Sequence, residues 1–290
     1  MTELHYSNEE IALQENIPFY NIRERRGFLR NLIIRNSNSG EWMVILQVSV
    51  ENREWTERIL NELMNTFPEI TSLHYLVNSK GNESYNDLEA VHFAGNKYMI
   101  QTMEDLEFRI SPKSFFQTNS DQAYELYQFV REFADLEKTD IVYDLYTGTG
   151  TIANFIARKV KKVIGLEYVP EAIEDAKINS EINQITNTMF LEGDIAKIFN
   201  EAFLEQHGIP DVIITDPPRA GMHKDVIAAI LKTSARKIIY VSCNPATQAR
   251  DIDLLNEKYR LVKSQAIDMF PHTHHIENIV VLDIKSNESK

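Results

Sequence analysis

The chain reads as a mainly parallel, doubly wound α/β sheet preceded by a small α+β domain. Three observations predict this. From about residue 141, short apolar runs alternate with stretches of helical spacing, the rhythm of repeated strand–helix–strand units. A glycine-rich turn, Asp144-Leu-Tyr-Thr-Gly-Thr-Gly150, follows the first of those runs and leads into a helix. Ahead of them, over residues 28–110, strand-like runs surround a single helical stretch. The expected division is 1–110 for the small domain and 111–290 for the α/β domain.

Residues 1–20 contain four Glu and no Lys or Arg, which predicts an exposed lead-in segment. Strands at 29–35 and 41–50 flank Asn36-Ser-Asn-Ser-Gly40, a hairpin loop signal. Trp55, Ile59, Leu60, Leu63, Met64 and Phe67 recur at helical spacing over 53–67. Strands follow at 72–77, 91–93 and 98–103. Leu106-Glu-Phe-Arg-Ile110 alternates cleanly, as a half-buried strand does.

After Ser111-Pro112 the rhythm changes. Asn119 can cap a helix running to about residue 133. Strands are predicted at 141–145, 163–167, 189–191, 212–215 and 237–241. Helices are predicted at 152–160, 170–183, 195–206, 224–231 and 246–258. The end reads as two strands, 261–268 and 277–284, joined by a His-rich loop, with an antiparallel strand in the sheet there. No internal repeat or low-complexity segment interrupts this order.

The length of 290 residues fits one large domain or two ordinary ones, and 43% hydrophobic content is enough for a core. No apolar run is long enough to span a bilayer, and the first residues lack the regions of a signal peptide. One cysteine excludes an intramolecular disulfide framework and any Cys-x-x-Cys metal site, so a reducing cytoplasm is the expected location. A monomer without membrane contact is expected. The net charge of −13 argues against a protein that grips nucleic acid through a wholly basic surface. A local patch remains open, with Arg23, Arg25, Arg26, Arg30 and Arg35 as candidates and a merely solvated face as the alternative.

The glycine-rich turn permits a close approach to a ligand. Gly148, Gly150 and Ala153 also fit the dinucleotide pattern G-x-G-x-x-A, so an NAD-type oxidoreductase stays open on that motif alone. Glu167 ends the next strand, placed to take two ribose hydroxyls. Asp194, in Leu191-Glu-Gly-Asp194, ends the third and could meet an adenine amino group. Acids after three successive strands resemble the S-adenosylmethionine (SAM) site of class I methyltransferases. Ordinary turns and strand-end acids are the structural alternative.

Cys243 lies in Tyr240-Val-Ser-Cys-Asn-Pro-Ala-Thr247, where a buried strand ends and Pro245 can open a helix. That is the ligand end of an open α/β sheet. A helix amino terminus there would lower the thiol pKa. Taken alone, a free cysteine is more often a small buried hydrophobe. Asp216-Pro-Pro-Arg-Ala-Gly221 follows the fourth strand, its prolines holding Asp216 at the strand mouth. An Asp-Pro-Pro-Tyr there would mark amino-group methylation, and Arg219 departs from it.

These two motifs, with Met269-Phe-Pro-His-Thr-His-His-Ile-Glu277 and Ser114-Phe-Phe-Gln-Thr-Asn119, closely resemble the RNA uracil-C5 methyltransferase family. The resemblance runs from about residue 111 to 284 and more weakly through the small domain. It implies a class I SAM-dependent methyltransferase that makes 5-methyluridine in RNA, with 23S rRNA the expected partner and tRNA the alternative. It implies Cys243 as nucleophile and Glu277 as base, with Asp216 holding the base or the methyl donor. Gln117, Tyr146, Gly148, Thr151, Glu167 and Asp194 are implied as SAM contacts. The chemistry asks for such residues. C5 of uracil is a poor nucleophile until a thiolate adds at C6, and a separate base must then remove the C5 proton. Thr151 stands where relatives carry Asn, which puts its polar contact in question.

His272, His274 and His275 invite a zinc reading, but no further ligand pattern completes a tetrahedral site, and no metal is expected. Phe115 and Phe116 read as core residues, or as one ring stacking on an extruded uracil. Many relatives carry an amino-terminal RNA-binding domain and four cluster-holding cysteines. Their absence here implies a piece without that domain, or a naturally trimmed enzyme.

Overall fold

The computed structural model describes residues 9–85 and 87–286. Two compact units divide the chain, Met1–Ser114 and Phe115–Lys290. Among the described residues no helix is long and apolar enough to cross a membrane.

The first unit contains β1 (Leu29–Asn36), β2 (Trp42–Val48), α1 (Arg53–Thr66), β3 (Ile70–Val77), β4 (Val91–Gly95), β5 (Met99–Met103) and β6 (Leu106–Ile110). β1–β4 form one sheet in sequence order, and β5 with β6 a separate hairpin. β2 and β3 run parallel, so α1 is their crossover. Asn52 caps α1 by accepting the Trp55 N–H at 3.1 Å. Ile59, Leu60 and Leu63 are buried in one cluster with Val44, Leu46, Val48 and Leu73.

Two expectations change here. The described part of the lead-in is not a solvated tail, because Ala12 and Ile17 are buried in that same cluster. Counting its glutamates reads only the outward face. Residues 1–8 lie outside the described residues. The arginine patch also shrinks. The Arg30 head is 1% exposed and donates to the carbonyls of Asn78, Lys80 and Asn82 and to Glu83. Arg35 donates to the Ser114 carbonyl at 2.8 Å. Both tie loops to β1, while Arg23, Arg25 and Arg26 remain exposed.

The second unit runs α2 (Ser120–Ala134), β7 (Ile141–Leu145), α3 (Thr151–Ala157), β8 (Lys162–Glu167), α4 (Pro170–Ile182), β9 (Thr188–Glu192), α5 (Ile195–Ile198), α6 (Glu201–His207), β10 (Val212–Thr215), α7 (Lys224–Lys232), β11 (Lys237–Ser242), α8 (Pro245–Leu255), β12 (Tyr259–Ile267) and β13 (Glu277–Ile284). Its seven-stranded sheet has the order β12-β13-β11-β10-β7-β8-β9. The five strands from β11 to β9 are parallel, and β13 inserts antiparallel between β11 and β12. The chain moves outward from β7 through β8 to β9, then returns to place β10 on the other flank of β7. That reversal opens a crevice at the carboxyl ends of β7 and β10, the usual ligand position in such sheets.

The class I methyltransferase fold is as predicted, with local exceptions. The helix expected over 195–206 is two short helices. Asn200 interrupts it by accepting the Phe203 N–H at 3.1 Å, a local bond that starts α6 afresh.

Candidate active site

The turn after β7 is built for close approach. Tyr146, Gly148 and Gly150 all have positive φ, at 64°, 54° and 73°. For Tyr146 this is a strained conformation, costing about 1–3 kcal/mol. A Cβ on Gly150 would stand 2.9 Å from the Ala176 Cβ and 2.9 Å from the Phe190 ring, so packing demands glycine there. A Cβ on Gly148 would meet nothing within 4 Å, so the space above it is open.

Glu167, at the end of β8, closes the turn from the side. One carboxylate oxygen accepts the Gly148 N–H at 3.1 Å, and the other accepts the Tyr168 and Val169 N–H groups at 2.8 and 3.0 Å. Glu167 and Gly148 are therefore brought together. Asp144 is 1% exposed beneath them, accepting the Thr147 hydroxyl at 2.5 Å. Burial pushes its carboxyl up to about 7, opposed by that hydrogen bond. Tyr146 is pushed up to about 12, mainly by burial, and feels both Asp194 and Glu167.

The remaining cofactor candidates are placed differently. Asp194 caps α5, accepting the Ala196 N–H at 3.1 Å, and pairs with Lys197 at 3.1 Å. The Lys197 hydrogen bond is the main cause holding its carboxyl below the usual range. Its structural duty is thus visible beside any ligand duty. Thr151 is 7% exposed, with its hydroxyl 3.2 Å from that of Thr149. Gln117 is buried in the segment before α2. Phe115 is 76% exposed, so the core reading fails for it.

The second cluster gathers around β10, β11 and β13. The β11–β13 ladder ends with Ser242 opposite Asn278. Cys243 directly follows β11 and Glu277 opens β13, so the two come next to each other just beyond the last pair, close enough for the Glu277 charge to act on the thiol. Glu277 is 6% exposed, and burial pushes its carboxyl up to about 7, with Arg219 pulling the other way. Asp216 stands where β10 leaves the sheet, its N–H on the Leu145 carbonyl. Burial raises its carboxyl well above the usual range, and the Glu277 and Asp144 charges add to that. Three carboxyls in one desolvated place cannot all ionise readily.

The thiol corrects an expectation. Its pKa is raised by burial and by Glu277, while a hydrogen bond from Arg219 works against both. The helix start does not win because Cys243 lies before the cap. Asn244 takes up the Ala246 N–H itself, at 3.2 Å. The guanidinium, not the helix terminus, is the group that favours a thiolate here.

Arg219 enters the sequence reading as part of the Asp-Pro-Pro-Arg-Ala-Gly motif and as a departure from tyrosine, with no role of its own, and its position after Asp-Pro-Pro is the available signal. Its carbonyl accepts from Asn244 Nδ2 at 3.0 Å and Thr247 Oγ1 at 3.2 Å, which ties its loop to α8. Its guanidinium lies 3.5 Å from His275 Nδ1. Tyr127 was also missed. It reads as one more apolar position of α2, yet its hydroxyl is raised by burial and by Asp216, Asp144 and Glu277. The His274 and His275 rings are 4.2 Å apart. Among the described residues no group of three His, Cys, Asp or Glu is placed to hold a metal ion.

Comparison with known proteins places this geometry. The family model described as tRNA (Uracil-5-)-methyltransferase matches residues 55–285. An "Uncharacterized RNA methyltransferase" of Bacteroides thetaiotaomicron is 53% identical over 279 residues, covering 95% of this chain and 62% of the relative. One of the same description from Porphyromonas gingivalis is 54% identical over 270 residues, covering 92% and 58%. The chain thus spans about three fifths of the length of these curated relatives. The crystal structure of Pyrococcus abyssi tRNA (uracil-54, C5)-methyltransferase in complex with S-adenosyl-L-homocysteine superposes with a TM-score of 0.78 at 33% identity, covering 94% of this chain and 64% of that one. A sheet with an opened glycine turn, a thiol beside a carboxyl at its strand ends, and relatives more than half identical lead to one assignment: the chain belongs to the tRNA (uracil-5-)-methyltransferase family.

Proposed function

We propose that the chain catalyses SAM-dependent methylation of C5 of a uridine in RNA, through a covalent bond between Cys243 and C6. The observation that carries the reading is the closeness of Cys243 and Glu277 at the end of the β11–β13 ladder, with Arg219 acting on both. The catalytic machinery belongs to the expected domain 111–290, with 1–110 as accessory.

The turn fits the cofactor. Open space above Gly148 lets a ligand reach the backbone, and the rim carboxylate Glu167 is already oriented. Glu167 would hold the ribose, with Gln117, Tyr146, Thr151, Asp194 and Asp216 completing the contacts. Bound SAM supplies an electrophilic methyl group. Arg219 stabilises the Cys243 thiolate, which adds to C6 and leaves C5 electron-rich. After C5 accepts the methyl group, Glu277 removes its proton, and the C6–S bond breaks to restore the ring and the thiolate. A carboxyl near pKa 7 is matched to that task at neutral pH.

The RNA is proposed to be 23S rRNA, from the resemblance of the motifs. A tRNA is favoured by a separate observation, the target named for the Pyrococcus abyssi neighbour. Mass-spectrometric mapping of 5-methyluridine in both RNAs, from cells lacking the gene, decides. Loss from 23S rRNA supports the first reading and loss from tRNA the second. Unchanged 5-methyluridine in both overturns the activity.

A further inference from the structure

We propose that Gln248, on the helix that follows the nucleophile, is a positioning residue that holds the Cys243 and Glu277 backbones at their working separation. The inference rests on the reading of those two residues as nucleophile and base.

The reacting pair sits at a weak place. The last β11–β13 pair is Ser242 with Asn278; beyond it Glu277 is still paired with Ile267 of β12, but no ladder pair ties Cys243 to it. Strand ends open locally at low cost. Gln248 braces this end from below. It is 1% exposed. Its amide nitrogen donates to the Tyr240 carbonyl at 2.9 Å and to the Asn278 carbonyl at 3.0 Å. Its amide oxygen accepts from Asn278 Nδ2 at 2.6 Å. One side chain thus joins β11 to β13 through three bonds, and Asn278 directly follows the base in the chain.

The helix carrying Gln248 is itself fixed. Asp251, fully buried, accepts the Tyr240 hydroxyl and the Met222 N–H, each at 2.8 Å. Arg250 donates to the Ala220 carbonyl at 2.9 Å. With Asn244 and Thr247 on the Arg219 carbonyl, successive turns of α8 hold the arginine loop, the nucleophile's strand and the base's strand. Packing alone does not call for an amide at position 248. A Met or Leu would fill such a site without the cost of burying polar atoms. What the amide adds is direction, and its bonds converge on the immediate neighbourhood of the pair.

Cys243 is the sole cysteine, so iodoacetamide alkylation followed over pH reads its titration without ambiguity. Burial raises that titration, and Glu277 adds to it by proximity. In Gln248→Met, loosening the pair should move the alkylation midpoint to lower pH. In a Glu277→Gln background the same substitution should leave the midpoint where it is. Turnover should fall by up to about 100-fold, as for a displacement of about 1 Å at a reacting centre, with KM for SAM unchanged. An unmoved midpoint, or an equal shift in both backgrounds, overturns the proposal. If Gln248→Met does not fold, Asn278→Ala removes one bond of the three, together with the bond from the Ser264 hydroxyl, for which Ser264→Ala is the control. Asn278→Ala should move the midpoint in the same direction, and no movement overturns the proposal equally. Coupled alkylation shifts in a chain that transfers no methyl group support the brace and overturn only the functional reading.

Discussion

In the proposed mechanism Cys243 and Glu277 act at different moments, and substitutions should separate them. Cys243→Ala is expected to abolish both the protein–RNA adduct and turnover. Glu277→Gln should add to C6, accept the methyl group and stall, because elimination needs the C5 proton gone. A methylated adduct should then accumulate as a shifted band on a denaturing gel. Near-normal turnover of Glu277→Gln would remove it as the base. The pH dependence has a definite sign. The base must be ionised, so activity should fall as pH drops through about 7, where burial has placed Glu277. Arg219 lowers the pKa of both Glu277 and Cys243, so Arg219→Ala should move that limb to higher pH. A limb that moves down, or stays, would mean that another group titrates.

Within the element that forms the glycine turn, two similar substitutions should behave differently. Gly150→Ala meets Ala176 and Phe190 as well as an unfavourable φ, so it should lower the melting temperature sharply. Gly148→Ala shares the unfavourable φ, at about 1–2 kcal/mol, but has room for its methyl group, so it should fold with a smaller loss; it fills the open space and should weaken SAM binding. Glu167→Ala should cost about 1.5–3 kcal/mol of SAM affinity through the lost charged hydrogen bonds. Calorimetric titration checks both, and unchanged affinity in Glu167→Ala would sink the cofactor site. Asp144 tests the same turn through stability. Its folded pKa of about 7 lies above its unfolded value, so folding favours the protonated form. Stability is then greatest below the unfolded pKa and declines as pH rises through about 7. Asp144→Asn should therefore stabilise the chain at pH 8, on the order of a few kcal/mol, and little at pH 4. Equal melting shifts at both values would contradict that environment.

At the scale of the whole molecule, a net charge of −13 leaves few places for an RNA backbone. Arg23, Arg25 and Arg26 lie exposed on a loop pinned by Asn21, which accepts the Arg23 and Glu24 N–H groups at 2.9 and 3.1 Å. RNA binding should be weak, with a shallow salt dependence, because few phosphates are neutralised. Reversing those three charges should weaken it further, as measured by filter binding across a salt series. Tight binding indifferent to the change would place the RNA surface elsewhere.

The sequence by itself determined the alternating sheet, the glycine turn and the motifs proposed to bear the chemistry, because each is written in contiguous residues. Apolar periodicity states which face of a segment is buried, and Gly148, Pro217 and Pro245 mark where the chain must turn. Only the tertiary structure decided which of these groups meet. β13 enters antiparallel beside β11, and that non-local pairing brings Glu277 beside Cys243. The raised thiol, the desolvated carboxyls and the part of Tyr127 all follow from sharing one space. So does the reassignment of Arg30 and Arg35, whose partners are distant in the chain. Local pattern encodes burial and turning, whereas electrostatics depends on distances between segments that no local pattern carries.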